Sequence, residues 1–190
     1  MVENWMIIAL HQIVFQGMFL AKNIMVKRKT GVRIRGKNKE ATVSILFFTV
    51  FIVTALSLSL SDGSLGYVKF FNPMVAKATG LGLLAVNLFV SVAALLHLRD
   101  SWRVGVLEDQ TNELVMDGIY RISRNPYFVS YLFMFGAYTI LLQNIILLVL
   151  SILGFVFIHR MVLNEEKYLL STHGESYLNY KKRVPRYFLI

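Results

Sequence analysis

Five runs of apolar residues, separated by polar or charged stretches, divide this 190-residue chain. A membrane crossing takes about 20 mostly apolar residues, each advancing a helix by about 1.5 Å. The first run extends from Trp5 to Ala21 and is the weakest, because His11, Gln12 and Gln16 interrupt it. The second covers Ala41 to about Ser61, and the third covers Met74 to Leu98, with Asn87 near its middle and His97 near its end. The fourth runs from Tyr127 to Leu142, Gln143-Asn144 forms a tight turn, and the fifth runs from Ile145 to Ile158. The last two are short, so the pattern predicts a helical hairpin that need not cross the whole bilayer. Its second helix is expected to continue to about Thr172. The expected fold is therefore an all-α integral membrane protein with about five transmembrane helices. The pattern divides the chain into residues 1–98, with helices one to three and a basic loop at 22–40, and residues 99–190, with the hairpin of helices four and five.

Composition supports the membrane reading and charge orients it. The chain is 56% hydrophobic and 16% charged, against about 25% charged in a soluble domain. Of its 20 lysines and arginines, 18 fall in three segments that five spans would place on one side: Lys22 to Lys39, Arg99 to Arg124, and Arg160 to Arg186. The positive-inside rule puts those segments in the cytoplasm and the N-terminus outside, in the cell's inner membrane. The net charge of +9 is then explained by topology and by attraction to anionic membrane lipids, and nucleic acid is not needed as a partner. The N-terminus lacks the basic region and small-residue site of a cleaved signal peptide. Cysteine is absent, which excludes disulfides, thiolate nucleophiles and cysteine-bound metals. The four histidines, His11, His97, His159 and His173, lack metal-ligand spacing, so no metal is expected.

The hairpin has a chemical consequence. Its two cytoplasmic ends bring Arg124-Asn125-Pro126-Tyr127 close to Glu165-Glu166. A bland account exists for each part. Asn125 and Pro126 suit a helix cap and first turn, the rings of Tyr120, Tyr127, Phe128 and Tyr131 suit an interfacial aromatic belt, and the glutamates suit a solvated helix face. Against that, ionisable groups at headgroup level are usually paired or functional. His159 and Arg160 lie close enough in sequence to pair with the glutamates or to hold an anionic substrate.

The motifs are Asn112-Glu113-Leu114-Val115, Gly118-Ile119-Tyr120, Arg124-Asn125-Pro126, Glu165-Glu166, Gly174-Glu175-Ser176-Tyr177 and Tyr180-Lys181-Lys182-Arg183-Val184-Pro185, with Ser101-Trp102-Arg103 before them. In this order the chain resembles the isoprenylcysteine carboxyl methyltransferase and phospholipid methyltransferase superfamily, over somewhat under half its length. The resemblance implies S-adenosylmethionine as methyl donor, with S-adenosylhomocysteine as product. It implies a cofactor site of Leu114, Val115, Tyr120, Arg124, Asn125, Pro126, Tyr127, Phe128, Glu165 and Glu166, and a catalytic set of Glu166, Glu165, Arg160 and Arg124. Asn125 stands where the family usually has histidine, and Phe128 where it usually has tyrosine. An arginine of eukaryotic members would fall near Met161, beside Arg160.

Methyl transfer asks mainly for alignment and water exclusion. Tyr120, Phe128 and Leu114 can wall an adenine, Glu165 and Glu166 can accept from ribose and amino groups, and Arg124 or Arg121 can hold a carboxylate. A lipid or prenylated small-molecule substrate would enter sideways from the bilayer. Two other readings compete: an NADPH-dependent membrane reductase of the sterol reductase type, in which tryptophan replaces Tyr177, and a non-catalytic membrane protein.

Overall fold

The computed structural model describes residues 3–31, 39–61, 64–102 and 113–188. Arg33, Arg35, Lys37, Arg103 and Asn112, and the side chain of Lys39, lie outside the described residues. Within these residues the chain forms five α-helices: α1 Asn4–Thr30, α2 Lys39–Leu60, α3 Pro73–His97, α4 Pro126–Leu142 and α5 Ile145–Arg183. Short 3-10 turns at Arg99–Ser101 and Gly118–Arg121 lie between α3 and α4. Helices α1, α2, α3 and α5 are long and apolar enough to cross a membrane, whereas α4 is apolar but shorter.

The first basic segment is more helical than its charge suggested. Helix α1 continues nine residues past Ala21, so Lys22, Lys27, Arg28 and Lys29 are helical and not part of a loop. Lysine and arginine are good helix formers, and cations in a last turn complement the helix dipole. Gly31 ends the helix in the left-handed region, its N–H donating to the Lys27 carbonyl.

The hairpin forms where the polar pair stands. Gln143 takes a left-handed conformation at the end of α4, and the Asn144 side chain caps α5 by accepting from the N–H groups of Ile146 and Leu147. The same residues hold the connection between α2 and α3: Gln143 Oε1 accepts from Phe71 N at 2.8 Å, and Asn144 Nδ2 donates to the Leu65 carbonyl at 2.7 Å. Asn4 at the start of α1 reaches the Leu141 carbonyl, so this is the end opposite the basic segments. At the basic end, Lys29 pairs with Asp100 and Trp102 Nε1 donates to Asn23 Oδ1.

Helix α4 packs against all four other helices, and Val129, Met134, Phe135, Ala137, Tyr138 and Leu141 are buried along it. Gly154 lets α5 approach: a Cβ there would lie 2.5 Å from the Phe135 ring. The outer faces are apolar instead of polar, with Ile13 of α1 71% and Phe89 of α3 73% exposed. Such surfaces belong against lipid.

The polar residues that weaken the first run are buried and paired with one another. Asn87 Nδ2 donates to the Ser130 carbonyl, which leaves Asn87 Oδ1 to accept from His11 Nε2 at 2.8 Å. With the imidazole neutral, Nδ1 then accepts from the Tyr138 hydroxyl at 2.7 Å, and that oxygen accepts from Gln12 Nε2. The chain of donors ties α1 to α3 and α4 where lipid offers no alternative partner. Asn87→Ala leaves the His11 N–H unpaired. It should cost about 1–2 kcal/mol, seen as a lowered Tm of the detergent-solubilised protein. An unchanged Tm would contradict the network's role.

Candidate active site

Beyond Ile158 helix α5 becomes charged, and the buried carboxylate of Glu166 is the centre of what gathers there. Arg186 grips it twice, Nε to Oε1 and Nη2 to Oε2, both at 3.0 Å. Arg124 Nη1 also lies 3.0 Å from Oε1, and the Arg124 and Glu166 side chains are only 6% and 7% exposed. Burial alone would push the Glu166 carboxyl up. The hydrogen bonds from Arg186 and the charges of Arg124, Arg186 and Lys181 outweigh it and hold the group below the usual carboxylate range.

Three local features bring these groups together. Pro126 opens α4 directly after Arg124-Asn125, so the arginine sits at the mouth of the hairpin. Asn125 occupies the capping position, but its side chain makes no cap bond. Its Nδ2 points instead to the Arg186 carbonyl at 3.3 Å and to Glu166 Oε1 at 3.5 Å. The capping account of this residue therefore fails, and its amide belongs to the cluster. Second, Gly174 takes φ 51° within α5, a left-handed angle that glycine adopts at little cost. The helix kinks there, and its last part returns Tyr177 and Tyr180 to the hairpin mouth. The Tyr177 hydroxyl accepts from Arg124 Nη1 at 3.1 Å, and the Tyr180 hydroxyl donates to the Tyr120 carbonyl at 2.7 Å. Third, the tail after α5 is stitched on by backbone. Arg124 N–H donates to the Pro185 carbonyl, and Ser123 Oγ donates to the Arg186 carbonyl.

The expected site residues divide into two adjoining groups. Arg124, Asn125 and Glu166 form the charged cluster, and Leu114 packs beside it against Tyr177 and Tyr180. Val115, Tyr120 and Tyr127 belong to an aromatic group with Trp102. Tyr127 stacks edge-on to Trp102 at 5.1 Å and shares a hydrogen bond with the Tyr131 hydroxyl. Tyr120 joins the groups, its ring in the second and its carbonyl held by Tyr180. Phe128 packs against the main core. Glu165 is partly buried; burial first, and then the charge of Glu166, push its carboxyl up to about 7. Arg160 is not drawn in. It is exposed on α5 and, among the described residues, makes no ion pair with either glutamate. His159 bonds the Tyr187 hydroxyl at 3.0 Å, not the glutamates. Arg121 is also exposed.

Arg186 is a site residue that the motif pattern does not mark, although a buried carboxylate needs its charge compensated where it lies. The signal was its place directly after Val184-Pro185, at the end of the motif series. One donor in the cluster stays unused: Arg124 Nε is buried and, among the described residues, has no hydrogen-bond partner. Buried donors are rarely left so, and a guanidinium fits a planar carboxylate best.

The model of the phospholipid methyltransferase family matches residues 75–176, more than half of the chain. A protein-S-isoprenylcysteine O-methyltransferase from Schizosaccharomyces pombe is 30% identical over 114 residues, covering 58% of this chain and 48% of that protein. The chain thus spans about half the length of this relative.

The two glutamates should respond oppositely to pH. The folded state raises the Glu165 pKa, so it holds a proton that the unfolded chain releases, and stability falls as pH rises from the ordinary carboxylate range to about 7. Glu165→Gln should remove this fall, so that its Tm advantage over the parent grows up to about pH 7 and stays constant above it. Parallel Tm curves would refute the raised value.

Proposed function

The chain belongs to the phospholipid methyltransferase family, and we propose that it is an S-adenosylmethionine-dependent methyltransferase acting on a lipophilic substrate at the cytoplasmic face of the cell's inner membrane. The observation that carries this reading is the buried Arg124–Glu166–Arg186 cluster with its unused Arg124 Nε. It offers a cation for an amino-acid carboxylate, next to acids for an amino group or ribose. When bound, S-adenosylmethionine would supply an activated methyl group on a sulfonium.

This chain's own residues would do the rest. Arg124 holds a carboxylate through Nε, and Glu166 fixes that guanidinium from the other side. Arg186 positions Glu166 by its two-pronged grip. Glu165, with its carboxyl near neutrality, suits acceptance of a proton from an amino group or an acceptor amine. Tyr120 and Leu114, with Val115, Tyr127 and Phe128 beyond them, form the apolar wall that keeps water from the reacting atoms. Asn125 and Pro126 set where the wall meets the charges.

The family's name favours a lipid head group as acceptor, and the fission yeast relative's name favours an isoprenylcysteine-like carboxylate. Arg160, exposed on α5 outside the cluster, is a cation that an anionic acceptor could meet from the membrane surface. The one-sided distribution of lysine and arginine supports a cytoplasmic site, an outside N-terminus and five crossings.

Calorimetric titration of the solubilised protein with S-adenosylhomocysteine and with NADPH tests the reading. Saturable binding of the first alone is expected. Arg124→Ala should weaken it about 10- to 100-fold, the worth of a lost charged hydrogen bond, and Glu166→Ala should abolish it. Binding of NADPH alone would replace the proposal with the reductase reading, and binding of neither would end it.

A further inference from the structure

A concavity rimmed by charged side chains lies at the basic end of the molecule, away from Glu166. It has a volume of about 480 Å³ and sits between the last turns of α1 and the turn that follows α3. Lys22, Arg28 and Lys29 line it from α1, Arg99 and Asp100 line it from the turn, and Met25 forms part of its wall. Two of the cations are partly neutralised, Lys29 by Asp100 at 2.6 Å and Arg99 by Asp117 at 3.4 Å. Lys22 and Arg28 form no ion pair among the described residues. The balance of the four cations against those two acids is +2.

Two further observations say what would fill it. Arg99 adopts φ 45°, a left-handed conformation that is uncommon for any residue other than glycine and that clusters at functional sites. The faces below the concavity are apolar and exposed. On α3 Phe89, Val92 and Leu96 form a stripe that leads to Arg99, and on α1 Leu20 and Ile24 run up to the cations. Charge above and exposed hydrocarbon below match a molecule with a phosphate head and acyl chains. A free phosphate ion would use only the upper part.

We propose that Lys22, Arg28, Lys29 and Arg99 bind the phosphate head group of one anionic glycerophospholipid from the adjoining leaflet, with its acyl chains along the exposed faces of α1 and α3. The site shares no residue with the Glu166 cluster, and nothing in it depends on methyl transfer. Trp102 separates the two, packing on Tyr127 on one side while its indole N–H reaches Asn23 of α1. The bound lipid would clamp α1 to the end of α3 beside the candidate active site.

Native mass spectrometry of the full chain in mild detergent, titrated with dioleoylphosphatidylglycerol or dioleoylphosphatidylcholine, decides the matter, with inorganic phosphate tested by thermal shift. One phosphatidylglycerol should be retained per chain at concentrations where phosphatidylcholine is not, and inorganic phosphate should not raise Tm. The double variant Lys22→Gln, Arg28→Gln should lose affinity about 25-fold, taking roughly fivefold per cation. If that variant does not fold, Arg28→Gln alone should lose roughly fivefold. The charge-matched control Lys167→Gln, Lys182→Gln, altered at exposed positions elsewhere on α5, should bind like the parent. Equal loss in the control would mean diffuse attraction and would overturn the site. Equal retention of phosphatidylcholine, or stabilisation by phosphate alone, would overturn it as well.

Discussion

A carboxylate removed from water must be compensated where it lies, and in this molecule that demand falls on Glu166. Desolvating an ion costs several kcal/mol, and stripping one partner from a buried pair typically costs about 3–5 kcal/mol. Two guanidiniums answer the demand, and each comes from a different part of the chain. Arg124 is delivered by the hairpin mouth, and Arg186 by a tail that exists as a strap only because Gly174 turns α5 back. The backbone bonds from Arg124 and Ser123 to the tail serve the same charge. The acid thus explains why the chain after Gly174 folds over the end of the bundle instead of extending into water.

Within the bundle the problem is the reverse. Lipid cannot drive helices together by the hydrophobic effect, because it is as apolar as their outer faces. Polar residues between helices therefore supply specificity. His11, Gln12, Asn87 and Tyr138 each satisfy another, with directions set by the single acceptor left on Asn87. That network holds α1, α3 and the buried α4 in one arrangement. The position of Pro126 and Arg124 at the head of α4 is inherited from it.

Much of this was legible from residue order. The polar pair Gln143-Asn144 between two apolar runs marks the hairpin, and the hairpin alone implies that Arg124 lies near Glu166. What stayed hidden depended on side-chain direction. Asn125 before Pro126 reads as a cap by every local rule, and its amide turned elsewhere because a buried carboxylate and a tail carbonyl were nearer needs. Arg160 is close to Glu165 in sequence, yet it projects from α5 to the exposed side, while Arg186, 20 positions from Glu166, makes the contact. Helix α1 outruns its apolar stretch, because lysine and arginine extend a helix well once they clear the bilayer. His11 and Gln12 weakened the first span as a pattern and strengthened it as a structure.

The central claim is that Arg124 and Glu166 act as one unit in holding a cofactor. A double-mutant cycle with Arg124→Ala and Glu166→Gln, read as S-adenosylhomocysteine affinity in variants shown to be folded, addresses that claim most directly. If the pair is one unit, the double variant should be little worse than the poorer single one, with a coupling energy of about 1–3 kcal/mol. Effects that add to within about 0.5 kcal/mol would mean that the two residues act independently, and the account would fail.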